Sequence, residues 1–169
     1  VYAKADADGT VNEITVNTVL KNKNEKKIQD YSNLTDIKNT KGDEEYTKQS
    51  DGTILWDNQG EDIEYEGKSS EQLPVTVQIS YFLDDKEISP KELAGKSCSL
   101  KIRFDYENHT KEETNVKGKK VELPVPFAAI SALLLSEDNA TNIEVKNGKV
   151  ISLDGQNLII GYACPGLSE

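Results

Sequence analysis

Two stretches of this chain alternate apolar and polar residues with a period of two. Val75, Val77, Ile79 and Tyr81 interleave with Thr76, Gln78 and Ser80, and with Phe82 as the one apolar exception on the second phase. Cys98, Leu100, Ile102, Phe104 and Tyr106 interleave with Ser99, Lys101, Arg103, Asp105 and Glu107. Successive side chains of an extended backbone point to opposite sides. This period therefore builds half-buried strands and does not suit a helix, whose apolar repeat is near 3.6.

Punctuation between the apolar runs extends the same reading. Asp8-Gly9, Ser50-Asp51-Gly52, Asp57-Asn58-Gln59-Gly60, Asp84-Asp85, Gly118, Asn147-Gly148 and Asp154-Gly155 all supply turn residues. Turns at roughly eight- to twelve-residue spacing suggest stacked antiparallel sheets. The expected fold is mainly β. An antiparallel, immunoglobulin-like β-sandwich is expected over 73–169, beside a smaller β-rich lobe over 1–72, with one or two short helices. Gly67–Gln72 reads as the linker. Val1–Val19 reads as a hairpin turning at Asp8-Gly9, with Asn17–Asn24 as a strand end or one helical turn. Lys21–Tyr46 is polar apart from Ile28, Tyr31, Leu34 and Ile37, which suits a short helix or an irregular segment. Ser89-Pro90 followed by Gly95 brackets one short helical turn. Pro124 and Pro126 bar Val121–Ile130 from a central strand position. Ala128–Leu135 fits a strand or a buried helix. Asn147-Gly148 is expected to turn a hairpin between Thr141–Val145 and Lys149–Leu153, with Asn157–Cys164 as the last strand.

Charge bounds the partners. The 169 residues carry 30 Asp and Glu against 20 Lys and Arg, a net charge of −10. Lysines interleave with acids, so no basic face is evident for a phosphate backbone, and nucleic acid is not an expected partner. Hydrophobic residues make up only 36%, which predicts a modest core and long polar loops. The first residue is Val, and Pro165–Glu169 forms no closing element, so further sequence is expected at both ends.

Reactive chemistry is sparse. The one histidine, His109, lies in a polar loop. There is no nucleophile elbow and no phosphate-binding glycine loop. The two cysteines, Cys98 and Cys164, lack zinc-site spacing. They read as inert core thiols or, in an extracytoplasmic chain, as a disulfide joining two strands. Asp6-Ala7-Asp8-Gly9 lacks the later ligands of a calcium loop and reads as a turn. Asp62, Glu64 and Glu66 share one face of a strand. They fit a solvated face better than a calcium site or a glycoside-hydrolase pair, for which no opposing acid is evident. No metal, cofactor or catalytic residue is expected. Trp56 with Tyr46 and Tyr65 fits a sugar-stacking platform, although a lone Trp in a small β lobe more often forms its core.

Several segments, in order, carry a resemblance. They are Val1-Tyr2-Ala3-Lys4-Ala5-Asp6-Ala7-Asp8-Gly9-Thr10-Val11, Leu34-Thr35-Asp36-Ile37 and Lys41-Gly42-Asp43-Glu44. Then come Leu93-Ala94-Gly95-Lys96-Ser97, Ile102-Arg103-Phe104-Asp105-Tyr106-Glu107-Asn108, Val125-Pro126-Phe127 and Pro165-Gly166-Leu167. This set resembles the N-terminal extracytoplasmic region of uncharacterised membrane proteins from gut Firmicutes, some of them similar to the phage infection protein family. The resemblance implies export, an extracellular position at the cell envelope, and anchoring by sequence C-terminal to this chain. It carries over no ligand and no catalytic residue. The expected function is a non-catalytic, adhesive or structural surface module whose partner is an envelope protein or a glycan. The alternative is a carbohydrate-binding module built on Trp56 and its neighbouring tyrosines.

Overall fold

The computed structural model describes residues 1–23 and 26–167. The expectations for Asn24 and for the terminal Ser168-Glu169 fall outside those residues. The chain is mainly β, in antiparallel sheets. Its contacts divide it into unit 1, Val1–Gln72, and unit 2, Leu73–Glu169.

Unit 1 holds seven strands: β1 (Tyr2–Ala5), β2 (Val11–Leu20), β3 (Ile28–Tyr31), β4 (Thr35–Asn39), β5 (Tyr46–Lys48), β6 (Thr53–Trp56) and β7 (Ile63–Ser69). One sheet runs β1-β2-β7-β4, the other β3-β6-β5. Ile54 and Trp56 from β6 meet Ile63 and Tyr65 from β7 in one core, closed by Leu34 and flanked by Val16, Leu20 and Ile37. Alternation explains the pairing of the sheets: Ile54 and Trp56 face inward, as do Ile63 and Tyr65, while Glu64 and Glu66 lie on the other side of β7.

The polar middle departs from expectation. Ile28, Tyr31 and Ile37 lie in two short strands and not in a helix, and Leu34 lies in the irregular link between them. Their spacing of three arises because the chain leaves β3 in one sheet and enters β4 in the other. Only Leu34 of the four is fully buried, and Tyr31 is exposed.

Both Asp-Gly-Thr segments of unit 1 close their hairpins alike. The Gly9 N–H donates to the Asp6 carbonyl and the Asp6 N–H to the Thr10 carbonyl; Gly52, Gln49 and Thr53 repeat the pattern. Asp8 and Asp51 each accept the N–H of the threonine two residues on, at 2.9 Å. Only the glycines take positive φ, 92° at Gly9 and 90° at Gly52. These are therefore not type I′ turns, which need positive φ at both central residues. A β-bulge at Lys4/Ala5 absorbs the longer loop.

Unit 2 holds β8 (Val75–Leu83), β9 (Lys86–Ile88), β10 (Leu100–Asn108), β11 (Lys111–Val116), β12 (Lys119–Pro124), β13 (Ala129–Ser136), β14 (Gly148–Leu153) and β15 (Gln156–Ala163). They form the sheets β10-β8-β9, β11-β12 and β13-β15-β14. β8 and β10 pair along their full length, so that Ile102, Phe104 and Tyr106 share a face with Tyr81, Ile79 and Val77. The expected helical turn is a single 3₁₀ turn, Pro90–Leu93, in which Glu92 Oε2 accepts the Ser89 N–H at 2.9 Å.

Of the two alternatives open for Ala128–Leu135, the strand is the one formed, over Ala129–Ser136. Two other expectations for this unit change. Asn147-Gly148 turns no hairpin, because Thr141–Val145 forms no strand; the hairpin is β14–β15, turned at Asp154-Gly155. Among the described residues, no apolar side chain of unit 2 is fully buried. Antiparallel sheets are present, but the closed core of an immunoglobulin-like sandwich is not seen here. The buried two-sheet core lies in unit 1 instead.

A polar knot ties the sheets of unit 2 at one end. Asn108 Nδ2 donates to the carbonyls of Val125 (2.6 Å) and Pro165 (3.3 Å). Its Oδ1 accepts the N–H and the hydroxyl of Thr110. The Phe127 N–H also reaches the Pro165 carbonyl. One amide thus joins the end of β10 to the segments after β12 and β15.

Candidate functional site

The three aromatics proposed as a stacking platform are brought together but turned inward. Trp56 lies 4.9 Å from Tyr46 and 5.4 Å from Tyr65, centroid to centroid. Trp56 is 0% exposed and Tyr65 1%; only Tyr46 reaches solvent, at 37%. The reason is register: Tyr46 sits opposite Trp56 on β5, and Trp56 falls on the inward phase of β6. A sugar ring needs an open aromatic face, so this cluster serves as core and the platform reading is withdrawn. The Tyr65 hydroxyl donates to Asp30 Oδ2 at 2.6 Å. Burial, and then the neighbouring Asp30, raise its pKa above the ordinary phenol value.

The acidic candidates are engaged in local structure. Asp6 Oδ1 accepts the Asn12 amide at 2.8 Å, and Asp8 caps Thr10. Asp62 accepts Lys21 Nζ at 2.8 Å and the Asn22 N–H at 2.7 Å, and these bonds, Lys21 first, hold its pKa below the ordinary carboxylate value. Glu64 faces Lys41 at 3.8 Å. Among the described residues, no group of His, Cys, Asp and Glu is placed to hold a metal ion.

The outer face of β1-β2-β7-β4 carries a chain of ion pairs: Lys4–Glu13 (3.2 Å), Glu13–Lys68 (3.3 Å) and Lys68–Asp36 (3.4 Å). Lys4 and then Lys68 lower the Glu13 pKa. These residues border a shallow depression of about 510 Å³ that also touches Tyr2 and Asn17. Its charges are balanced and its ions exposed, so solvent and salt screen each pair and it contributes little to stability.

His109 is half-buried, its Nε2 at 2.8 Å from the Thr76 hydroxyl and its Nδ1 at 3.9 Å from Glu107. Cys98 and Cys164 are free and exposed, which corrects both readings of them, buried core thiols and a disulfide. Neither occupies a strand: Cys98 precedes β10 and Cys164 follows β15, so neither takes the inward phase that alternation assigned it.

The feature that sequence reasoning missed is on β13-β15-β14. Register places Ile130, Ala132 and Leu134 opposite Tyr162, Ile160 and Leu158, with Ile151 beside Leu158 and Leu153 on the same side. This face is uncovered: Ile130 is 75% exposed, Tyr162 58% and Leu134 52%. The opposite face, with Leu133, Leu135 and Ile159, is also apolar and half-buried. The available signal was the uncharged run from Leu123 to Ser136, whose apolar residues fall on both phases of a strand. By contrast, the polar face of β8–β10 covers its one large ring: Lys101 and Arg103 lie 5.2 and 5.3 Å from the centroid of Phe82.

No protein-family model, no curated protein and no solved structure matches this chain. No helix among the described residues is long and apolar enough to cross a membrane.

Proposed function

We propose that this chain is a non-catalytic, adhesive or structural module of a bacterial cell-envelope protein, working outside the cell through protein–protein contact. The observation that carries the reading is the uncovered apolar face of Ile130, Leu134, Leu153 and Tyr162. Large apolar side chains clustered on one exposed face mark an interaction surface, and a polar solution gives no reason to keep them together. Aromatic and aliphatic anchors of this kind supply most of the energy of protein contacts. The resemblance to envelope proteins of gut Firmicutes supports the location. The net charge of −10 favours a partner other than an anionic lipid surface.

The test is capture from a solubilised Firmicutes envelope extract by the immobilised chain and by the double variant Ile130→Asp, Tyr162→Asp. A partner held by the wild type and lost from the variant supports the reading. Equal capture by both, or capture by neither, overturns it. The location is checked by labelling intact cells with a membrane-impermeant thiol reagent, since Cys98 and Cys164 are exposed. Labelling only after lysis counts against an extracellular position.

A further inference from the structure

We propose that β13 is a self-pairing edge, and that two copies of this chain join antiparallel through it into one continuous six-stranded sheet. The inference rests on reading this face of unit 2 as an interaction surface, and it names the partner and the register.

An edge strand offers a row of unpaired N–H and C=O groups. Natural sheets protect such edges with charge, proline, bulges or short length. Among the described residues, ten strands are edges: β1, β4, β3, β5, β10, β9, β11, β12, β13 and β14. Nine carry at least one charged residue, such as Lys4 in β1, Asp30 in β3, Lys48 in β5 and Lys149 in β14. β13, Ala-Ile-Ser-Ala-Leu-Leu-Leu-Ser over Ala129–Ser136, carries no charge and no proline. At eight residues it is also among the longer edges.

The direction of its backbone groups follows from β15. The Tyr162 N–H donates to the Asn147 carbonyl, on the β14 side. Alternation then turns Gly161 and Ile159 toward β13, so Ser131 and Leu133, their register partners, carry the bonds to β15. Ile130, Ala132 and Leu134 therefore direct their N–H and C=O groups outward. Among the described residues, nothing hydrogen-bonds those groups.

These residues match themselves under a two-fold axis. With the axis at Ala132 perpendicular to the sheet, Ala132 faces its own copy and Ile130 faces Leu134 of the second copy. All three pairs are then of the hydrogen-bonded kind, and each exchanges two N–H···O=C bonds. The two-fold keeps the exposed faces on one side, so Ile130, the most exposed apolar side chain of this face, gains an apolar neighbour in each copy. Small Ala at the axis lets the backbones close without a clash. No like-charge pair opposes the contact, which is not true of an isologous pairing at Lys149, Lys48 or Lys4.

The contact is one strand wide, well below the roughly 800 Å² per partner of a standard interface. A concentration-dependent dimer is therefore expected, with dissociation in the micromolar-to-millimolar range. Sedimentation of the purified chain from about 10 μM to about 1 mM tests it, against Ala132→Lys and Ala132→Pro. The lysine opposes its own copy at the axis. The proline removes an outward N–H and leaves the β15 ladder intact. Circular dichroism shows whether each variant is folded, and either folded variant suffices. A wild-type dimer lost in the folded variant supports the proposal. A wild type that stays monomeric to about 1 mM, or a dimer that survives the substitution, overturns it. Because only purified chain is present, failure here leaves capture of an envelope partner unaffected, and failed capture leaves the dimer measurable.

Discussion

Unit 1 and unit 2 solve the same problem in different ways. Unit 1 turns its few apolar residues inward: Ile54, Trp56, Ile63 and Tyr65 come from neighbouring strands of two sheets and close on one another. Unit 2 has the richer apolar runs, yet among the described residues it buries none of those side chains fully. Its ends are fixed by backbone ladders and by the Asn108 amide bridging two carbonyls. Apolar content is therefore a poor guide to where a core forms. A strand with apolar residues on both phases needs cover on both sides, and one that alternates cleanly needs it on one. β6 and β7 alternate, and each finds its cover in the other.

The sharpest way to break this contrast is Trp56→Ala. Truncating a fully buried Trp costs about 3–5 kcal/mol, enough to unfold a small lobe. Amide exchange read by NMR should show β6 and β7 losing protection while β13, β14 and β15 keep theirs. Equal loss in both units would mean that they fold as one.

Next in size is Asn108→Ala. Removing the amide leaves the Val125 and Pro165 carbonyls without it, at about 1–3 kcal/mol. Here protection should fall in unit 2 and hold in β6 and β7. No loss in unit 2 would show that the backbone ladders suffice without the knot.

The smallest effect is on acidification. The folded-state pKa values of Asp8 and Asp51 are lowered, by the Thr10 and Thr53 N–H groups first, and that of Asp62 by Lys21 first. A depressed carboxyl stabilises the fold above its unfolded pKa, and that contribution is lost as pH falls through the folded value. All three are in unit 1, so its melting temperature should begin to fall below about pH 4. Asp51→Asn should shrink the drop, and an unchanged pH profile would remove the turn carboxylates from the account.

Much of this contrast was only half legible in the sequence. Strands β8 and β10 declared themselves by clean alternation, and Ser89-Pro90 declared the 3₁₀ turn. β3 and β4 did not: four and five residues with one or two apolar positions each give no measurable period, and what orders them is the sheet they join. Trp56 leaned toward a core position, but its sequence neighbourhood left a stacking surface open as well, because exposure is decided by the phase of β6 against β7, a long-range fact. Cys98 and Cys164 continued the apolar phase of their runs, yet both strands stop short of them. The run around Ala129–Ser136 was visibly apolar, but nothing local said whether its two faces would be covered.

The position of Trp56 has a practical consequence. It is the chain's single indole and lies in the interior of unit 1. Tryptophan emission followed during heating or denaturation therefore reports the lobe of residues 1–72. A single smooth fluorescence transition would describe less than half of the polypeptide. The remainder, with most of its tyrosines on half-exposed strands, has to be followed by amide signals or far-ultraviolet dichroism.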